Sequence, residues 1–99
     1  MLQYLFEDVP IVKIMDFLLD EPELDYSKTE IAKECKLNWK TVNKVFPKLI
    51  AFEILVESRV INRAKMYKLN KDSPVFKSLR QVDFQITDTA HTRNLPIEK

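Results

Sequence analysis

The sequence predicts a mainly α-helical domain with one small β-hairpin, in the order α-α-α-β-β-α, and three observations support this prediction. Apolar residues recur at helical spacing in four segments. Two shorter segments, 54–61 and 66–69, are rich in Ile, Val and Tyr, as strands are. Charge is polarised: residues 36–71 hold nine basic and two acidic residues (+7), whereas residues 1–34 hold three basic and nine acidic residues (−6).

Length and composition exclude several classes of function. A chain of 99 residues fits one domain, and 45% hydrophobic residues exclude a disordered chain. The absence of glycine excludes glycine-rich phosphate loops, and one cysteine with one histidine cannot build a zinc site within one chain. Metal or redox sensing would require Cys35 and His91 to meet across a dimer, so no metal and no cofactor are expected.

The N-terminal segment MLQYLFEDVP has no basic region typical of a signal sequence, and no apolar run approaches the roughly 20 residues that a membrane span needs. We therefore expect a cytoplasmic protein without membrane contact. No nucleophile, base or paired carboxylates form a catalytic pattern, so the protein is not expected to be an enzyme.

The first 35 residues predict two helices after a short arm. Residues 1–8 either pack on a partner or lead into the core. Apolar residues around most of the circumference predict a helix over 9–19 that is either central or shared with a second subunit. Ser27 and Glu30 form a capping box that begins the second helix, which continues to about Cys35.

A tight turn at 36–37 precedes the third helix, over about residues 38–52, which Asn38 caps. At 100° per residue, its apolar and polar residues separate into two faces. The polar face holds Lys40, Thr41, Asn43, Lys44 and Lys48. Trp39 borders the apolar face and is interpreted first as a core or turn plug and second as a groove contact.

The remaining residues predict a hairpin and a last helix. Residues 62–65 join the two strands, and Asn62 and Asn70 are the expected positive-φ positions. Ser73-Pro74 begins a helix whose apolar residues recur on one face as far as Ile86. Residues 87–99 show no such period and are predicted to form a loose tail. This order predicts a winged helix-turn-helix, with domain 1–86 and tail 87–99.

Three segments resemble small archaeal winged helix-turn-helix transcription regulators of the ArsR/MarR-like group: YLFEDVPIVKIMDFLL, DYSKTEIAKECKLNWKTVNKVFPKL and LVESRVINRAKMYKLNKDSPVFKSL. The resemblance covers roughly residues 2–86 and implies a homodimer that binds operator DNA through the third helix and the wing. Three positions depart from the family's usual glycines: Lys36 in the turn, Glu53 before the first wing strand, and Asn62 at the wing tip.

The polar face of the third helix is typical of a major-groove reader, in which lysines hold phosphates and Asn43 and Thr41 contact bases. A solvated lysine face is the ordinary alternative, and for the wing cations the alternative is protection of exposed strands. The predicted DNA contacts are Lys28, Thr29, Asn38, Lys40, Thr41, Asn43, Lys44, Lys48, Arg59, Asn62, Arg63 and Lys65.

The last helix, with the N-terminal arm, either forms a dimer surface or only covers its own core, and dimerisation is favoured. The predicted interface residues are Leu2, Leu5, Phe6, Val75, Phe76, Leu79, Val82, Phe84 and Ile86. The sequence thus predicts a homodimeric regulator that binds specific double-stranded DNA, with the third helix in the major groove and the wing (about 58–68) on the minor groove or backbone. The alternative is a winged-helix interaction or partition/replication accessory module without operator binding.

Overall fold

A computed structural model describes residues 1–96 of the chain. Five helices and three strands follow one another in the order α1, α2, β1, α3, α4, β2, β3 and α5. Their bounds are α1 Gln3–Phe6, α2 Pro10–Asp20, β1 Tyr26–Ser27, α3 Lys28–Glu34, α4 Trp39–Ala51, β2 Leu55–Ile61, β3 Ala64–Leu69 and α5 Pro74–Thr92. This is a winged-helix fold, as the sequence predicted, with α3 and α4 as the helix-turn-helix and β2–β3 as the wing.

The core lies between the helices and the inner face of the sheet. Apolar side chains from α2, α3, α4, β2, β3 and α5 pack into a single cluster. The most deeply buried of these are Ile14, Leu18, Ile31, Val42, Phe46, Leu49, Leu55, Leu69 and Phe76. Because α4 contributes its apolar face to this cluster, the opposite face of α4 is left at the surface.

The sheet has three strands rather than the two that were predicted. β3 lies in the middle and pairs antiparallel with β2 on one side and with β1 on the other. Tyr26 is opposite Tyr67 and Ser27 is opposite Met66. β1 has two residues, too few for a strand pattern to appear in the sequence, and it ties the start of α3 to the base of the wing.

The three positions where the resembled family has glycine all have positive φ. Lys36 is at 56°, Glu53 at 58° and Asn62 at 48°, and Arg63 beside it is at 68°. The wing tip is therefore a two-residue turn of the type I′ kind, which requires positive φ at both positions. Asn70 does not have positive φ, so that prediction was wrong.

The last helix is longer than predicted. α5 continues past Ile86 to Thr92, and Ala90 near its end is 4% exposed. Asn94 follows at φ 51°, and the amide of Leu95 donates to the carbonyl of Ala90 over 3.0 Å. This arrangement is a Schellman ending, so residues 87–96 are not a loose tail; residues 97–99 lie outside the described part.

The first residues of the N-terminal arm are anchored on their own chain, whereas Leu5 and Phe6 are exposed. Leu2 is fully buried, and the amides of Leu2 and Gln3 donate to the two carboxylate oxygens of Asp16 over 2.9 and 3.0 Å. Asp16 is itself 6% exposed, and its burial raises the pKa of its carboxyl group. A carboxylate in the middle of α2 therefore caps the start of α1 and holds the arm against α2.

Candidate nucleic-acid interface

The turn between α3 and α4 fixes how α4 is presented. Ser27 and Glu30 form the predicted capping box at the start of α3. The chain reverses at Lys36, where positive φ lets the amide of Leu37 donate to the carbonyl of Ala32 over 2.9 Å. Asn38 then caps α4 by accepting from the amide of Thr41 over 2.8 Å. Hydrogen bonds on both sides of the turn thus connect the end of α3 to the start of α4.

The two faces predicted for α4 are present. Val42, Phe46 and Leu49 are buried. The predicted polar face lies at the surface: Asn38, Lys40, Asn43, Lys44 and Lys48 are exposed, and Thr41 is half-buried. Among the described residues, no ion pair involves Lys40, Lys44 or Lys48. Three lysines without carboxylate partners along one helix face form a surface suited to a polyanion.

Lys28 links α3 to this face. Its ammonium nitrogen lies 3.1 Å from the side-chain oxygen Oδ1 of Asn43 and donates to it. The same nitrogen is 5.0 Å from the ring centre of Phe46 and 5.6 Å from that of Trp39. Both distances are within the range of cation–π attraction. Lys28 is therefore fixed over two rings, whereas Thr29 beside it is exposed.

Trp39 is 51% exposed, so its first interpretation as a core or turn plug was wrong. It lies in the first turn of α4, on the exposed side where Lys28 and Asn43 also lie. Its position agrees with the second interpretation, a side chain available for contact with a groove. An amphipathic residue at the border of two faces cannot be assigned to either from helical periodicity alone.

The wing tip presents Asn62 and Arg63 outward, because a two-residue turn leaves no room for either side chain inside. Both are exposed. Lys65, next along β3, is also exposed but lies 3.8 Å from a carboxylate oxygen of Glu57 on the neighbouring strand. A loose pair such as this contributes little and separates readily when a phosphate is near.

Arg59 is not a free cation of the wing. Its Nε and Nη2 atoms donate to the two carboxylate oxygens of Asp25 over 2.8 and 3.2 Å. The hydroxyl of Ser58 donates to the same carboxylate over 2.7 Å. The bond from Arg59, followed by that from Ser58, lowers the pKa of Asp25 to about 2. Arg59 thus anchors the wing to the segment before β1, a role that a separation of 34 residues hides from sequence analysis.

An apolar groove runs between α1 and α5 on another part of the surface. It encloses about 440 Å³ and is lined by Tyr4, Leu5, Val82, Ile86 and Leu95, among others. Of the predicted interface residues, Leu5 is 62% exposed, Phe6 48%, Val75 40%, Val82 38% and Phe84 62%, and Leu79 and Ile86 are half-buried. Leu2 at 0% and Phe76 at 3% are buried in their own chain and are corrected to core residues.

Metal and thiol chemistry find little support in the described part of the chain. No cluster of three or more His, Cys, Asp or Glu side chains there could hold a metal ion. Cys35 is half-buried, and burial raises the pKa of its thiol to about 11. Within residues 1–96, no helix is long and apolar enough to cross a membrane.

Comparison with solved structures supports the fold. A ZitR mutant from Lactococcus lactis in its apo form superposes with a TM-score of 0.63 at 22% identity, over 84% of this chain and 65% of that one. Sso10a-2, a DNA-binding protein from Sulfolobus solfataricus, gives 0.57 at 15% identity, over 87% and 90%. The adhesin competence repressor AdcR from Streptococcus pyogenes gives 0.57 at 16% identity, over 95% and 71%.

The present chain spans 65% and 57% of the two ZitR chains that it matches. No protein-family model matches the sequence, and no curated protein matches it either. At identities of 22%, 15% and 16%, these likenesses establish the winged-helix fold and nothing finer.

Proposed function

We propose that this protein is a transcriptional regulator that binds specific double-stranded DNA as a homodimer. α4 would enter the major groove, and the wing tip at Asn62 and Arg63 would contact the minor groove or the backbone. The observation that carries the proposal is the exposed face of α4, where Lys40, Lys44 and Lys48 have no carboxylate partner within residues 1–96. A major groove admits one α-helix, and the turn at Lys36, with φ 56°, joins α4 directly to α3.

The descriptions of the structural neighbours support the same function. Sso10a-2 is a DNA-binding protein and AdcR is a repressor. A further neighbour, from Methanosarcina mazei, is a possible transcriptional regulator. The regulator would act in the cytoplasm, and the archaeal source implied by the resemblance stays a prediction. Thr29, at the start of α3, is proposed to contact the backbone beside the groove, and Lys28 is proposed to lie at the edge of the groove beside Asn43.

The groove between α1 and α5 supports the dimer. Leu5 and Val82 are exposed apolar side chains on this groove. If a second copy covers them, the dimer is stabilised by about 25 cal/mol for each Å² of apolar surface buried. A two-fold dimer would place two copies of α4 about one turn of DNA apart. Val82→Glu should shift the protein to monomer in analytical ultracentrifugation, whereas Ser78→Glu, on an exposed position of the same helix, should not.

DNA binding itself is tested by titrating a random duplex at two salt concentrations. Trp39, the only tryptophan of the chain, lies on the proposed interface and reports binding by its fluorescence. Contacts from Lys40, Lys44, Lys48 and Arg63 of both subunits predict a log–log salt slope of about −7. No binding at low salt would refute the proposal.

The alternative is a winged-helix module that binds another protein. Exposed apolar residues on β2 and at the end of α4 favour it, since Val60 is 58% and Phe52 62% exposed. If the protein has no affinity for DNA at low salt, this alternative is favoured. If it does bind DNA, selection of bound sequences from a random pool separates specific from non-specific binding.

A further inference from the structure

The contact between Lys28 and Asn43 determines which hydrogen-bonding groups the recognition face offers. A lysine ammonium group carries three donors and no acceptor, so the amide of Asn43 must turn its oxygen Oδ1 toward Lys28. The amide nitrogen Nδ2, with two donor hydrogens, then points away from Lys28. Asn43 is exposed, so those two hydrogens are available to a base edge.

Two aromatic rings keep Lys28 in this position. Its ammonium nitrogen lies 5.0 Å from the Phe46 ring centre and 5.6 Å from the Trp39 ring centre. Phe46 is 3% exposed and packs in the core, against Tyr67 at 4.9 Å between ring centres. The orientation of the Asn43 amide is thus connected to the rigid interior through Lys28 and Phe46.

We propose that Lys28 is a positioning residue that turns the NH₂ group of Asn43 outward and so directs Asn43 to guanine. This inference rests on the proposed DNA-binding function. An asparagine recognises adenine by using its oxygen and its nitrogen together, accepting from N6 and donating to N7. With one lone pair of Oδ1 occupied by Lys28, adenine N6 would have to donate to the remaining lone pair directly beside the ammonium group, whereas guanine offers two acceptors, O6 and N7, to the free NH₂ group.

The charge of Lys28 acts in the same direction. A positive group beside the amide attracts acceptor atoms and repels the positively polarised amino hydrogens of adenine N6 and cytosine N4. The preference that Asn43 would have in isolation, for adenine, is thereby reversed by a residue from the neighbouring helix.

The test is a comparison of base preferences among four proteins: the full chain, Asn43→Ala, Lys28→Met and Lys28→Arg. Sequences selected by the full chain define the preferred site, and the position at which Asn43→Ala loses its preference is the base that Asn43 contacts. Lys28→Met keeps an unbranched side chain over the rings but removes the donor. Lys28→Arg keeps a side chain that only donates.

At the DNA position that Asn43 contacts, the unmodified protein should bind sites with guanine at least about fivefold more tightly than sites with adenine. This factor is the lower end of the discrimination that one bidentate base contact provides. Lys28→Met should bring this ratio to about one or below, and Lys28→Arg should retain it. If Lys28→Met weakens binding to all sequences equally and leaves the ratio unchanged, Lys28 is only a phosphate contact and the inference is wrong. If Asn43→Ala changes no position, the inference also fails although specific binding stands.

A flat selection profile for the full chain would instead refute the proposed function itself. A measurement without DNA separates the two cases. In the free protein, heteronuclear NOE values should show the Asn43 side-chain NH₂ group to be rigid, and in Lys28→Met to be mobile. Equal mobility in both proteins would show that Lys28 does not orient Asn43.

Discussion

Arg59 on the wing and Asp25 before β1 form a two-point ion pair, with N–O distances of 2.8 and 3.2 Å. The pair joins the outer strand of the wing to the segment that leads into the helix-turn-helix. It also occupies the guanidinium group that the sequence assigned to DNA. The carboxylate of Asp25 therefore competes with a DNA phosphate for the same cation.

Replacement of Asp25 by Asn should release Arg59. The affinity for duplex DNA should rise at low salt, and the salt slope should steepen by about one for each released arginine. Fluorescence titrations at several salt concentrations measure both quantities. Asp88→Asn, which changes the net charge equally on α5, is the control. An unchanged slope in Asp25→Asn would show that Arg59 does not reach the backbone.

The same pair predicts an acid-dependent loss of wing stability. The folded-state pKa of Asp25 is about 2, below the ordinary value of 3.8. Its contribution to stability is therefore fully present above about pH 4 and is lost as the pH falls toward 2. The protection factors of the amides in β2 and β3, which correct for the intrinsic pH dependence of hydrogen exchange, should fall over this interval in the unmodified protein. In Asp25→Asn the protection factors should already be lower at pH 5 and should show no corresponding step.

Asp16 is predicted to stabilise the fold by accepting hydrogen bonds from the backbone at the start of α1. Asp16→Ala leaves the amides of Leu2 and Gln3 without their acceptor, which should cost about 1–2 kcal/mol of unfolding free energy, as the loss of a helix cap does. Urea unfolding at pH 7 measures the loss. Asp20→Ala, exposed at the end of the same helix, is the control. A loss below about 0.3 kcal/mol would show that the cap does not hold the arm.

The positive φ of Glu53 predicts a stabilising substitution. A side chain with a Cβ costs about 1 kcal/mol in the left-handed region, and glycine does not have this cost. Glu53→Gly should therefore raise the unfolding free energy by roughly 0.5–1 kcal/mol. Glu57→Gly, in the extended strand β2, should lower it by a similar amount. Destabilisation by both substitutions would contradict the assigned backbone conformation.

The sequence predicted those elements whose signal is local. The capping box of Ser27, the Asn38 cap and the alternation of faces on α4 are all encoded within four residues or one helical repeat, and all are present. Positive φ at Asn62 was predicted for the same reason. The last helix was predicted too short because its apolar stripe weakens after Ile86, whereas its end is set by backbone bonds at Asn94 and Leu95.

What the sequence did not reveal depends on contacts between distant segments. The pairing of Tyr26 with Tyr67, of Asp25 with Arg59, and of Lys28 with Asn43 joins residues 15 to 41 positions apart. No periodicity connects such residues. These contacts nonetheless decide which predicted cations are available: Lys40, Lys44 and Lys48 have no partner in the described chain, whereas Arg59 is occupied and Lys28 is committed to Asn43.

The central claim is that the exposed face of α4 binds duplex DNA. It is tested most directly by replacing Lys40, Lys44 and Lys48 together with alanine and comparing salt-dependent binding with a variant in which Lys33, Lys77 and Arg80 are replaced. The α4 variant should bind more weakly than the unmodified protein at low salt, with a salt slope reduced by about five for a dimer. The control variant should bind as the unmodified protein does. Equal losses in the two variants, or undiminished binding by the α4 variant, would contradict the claim.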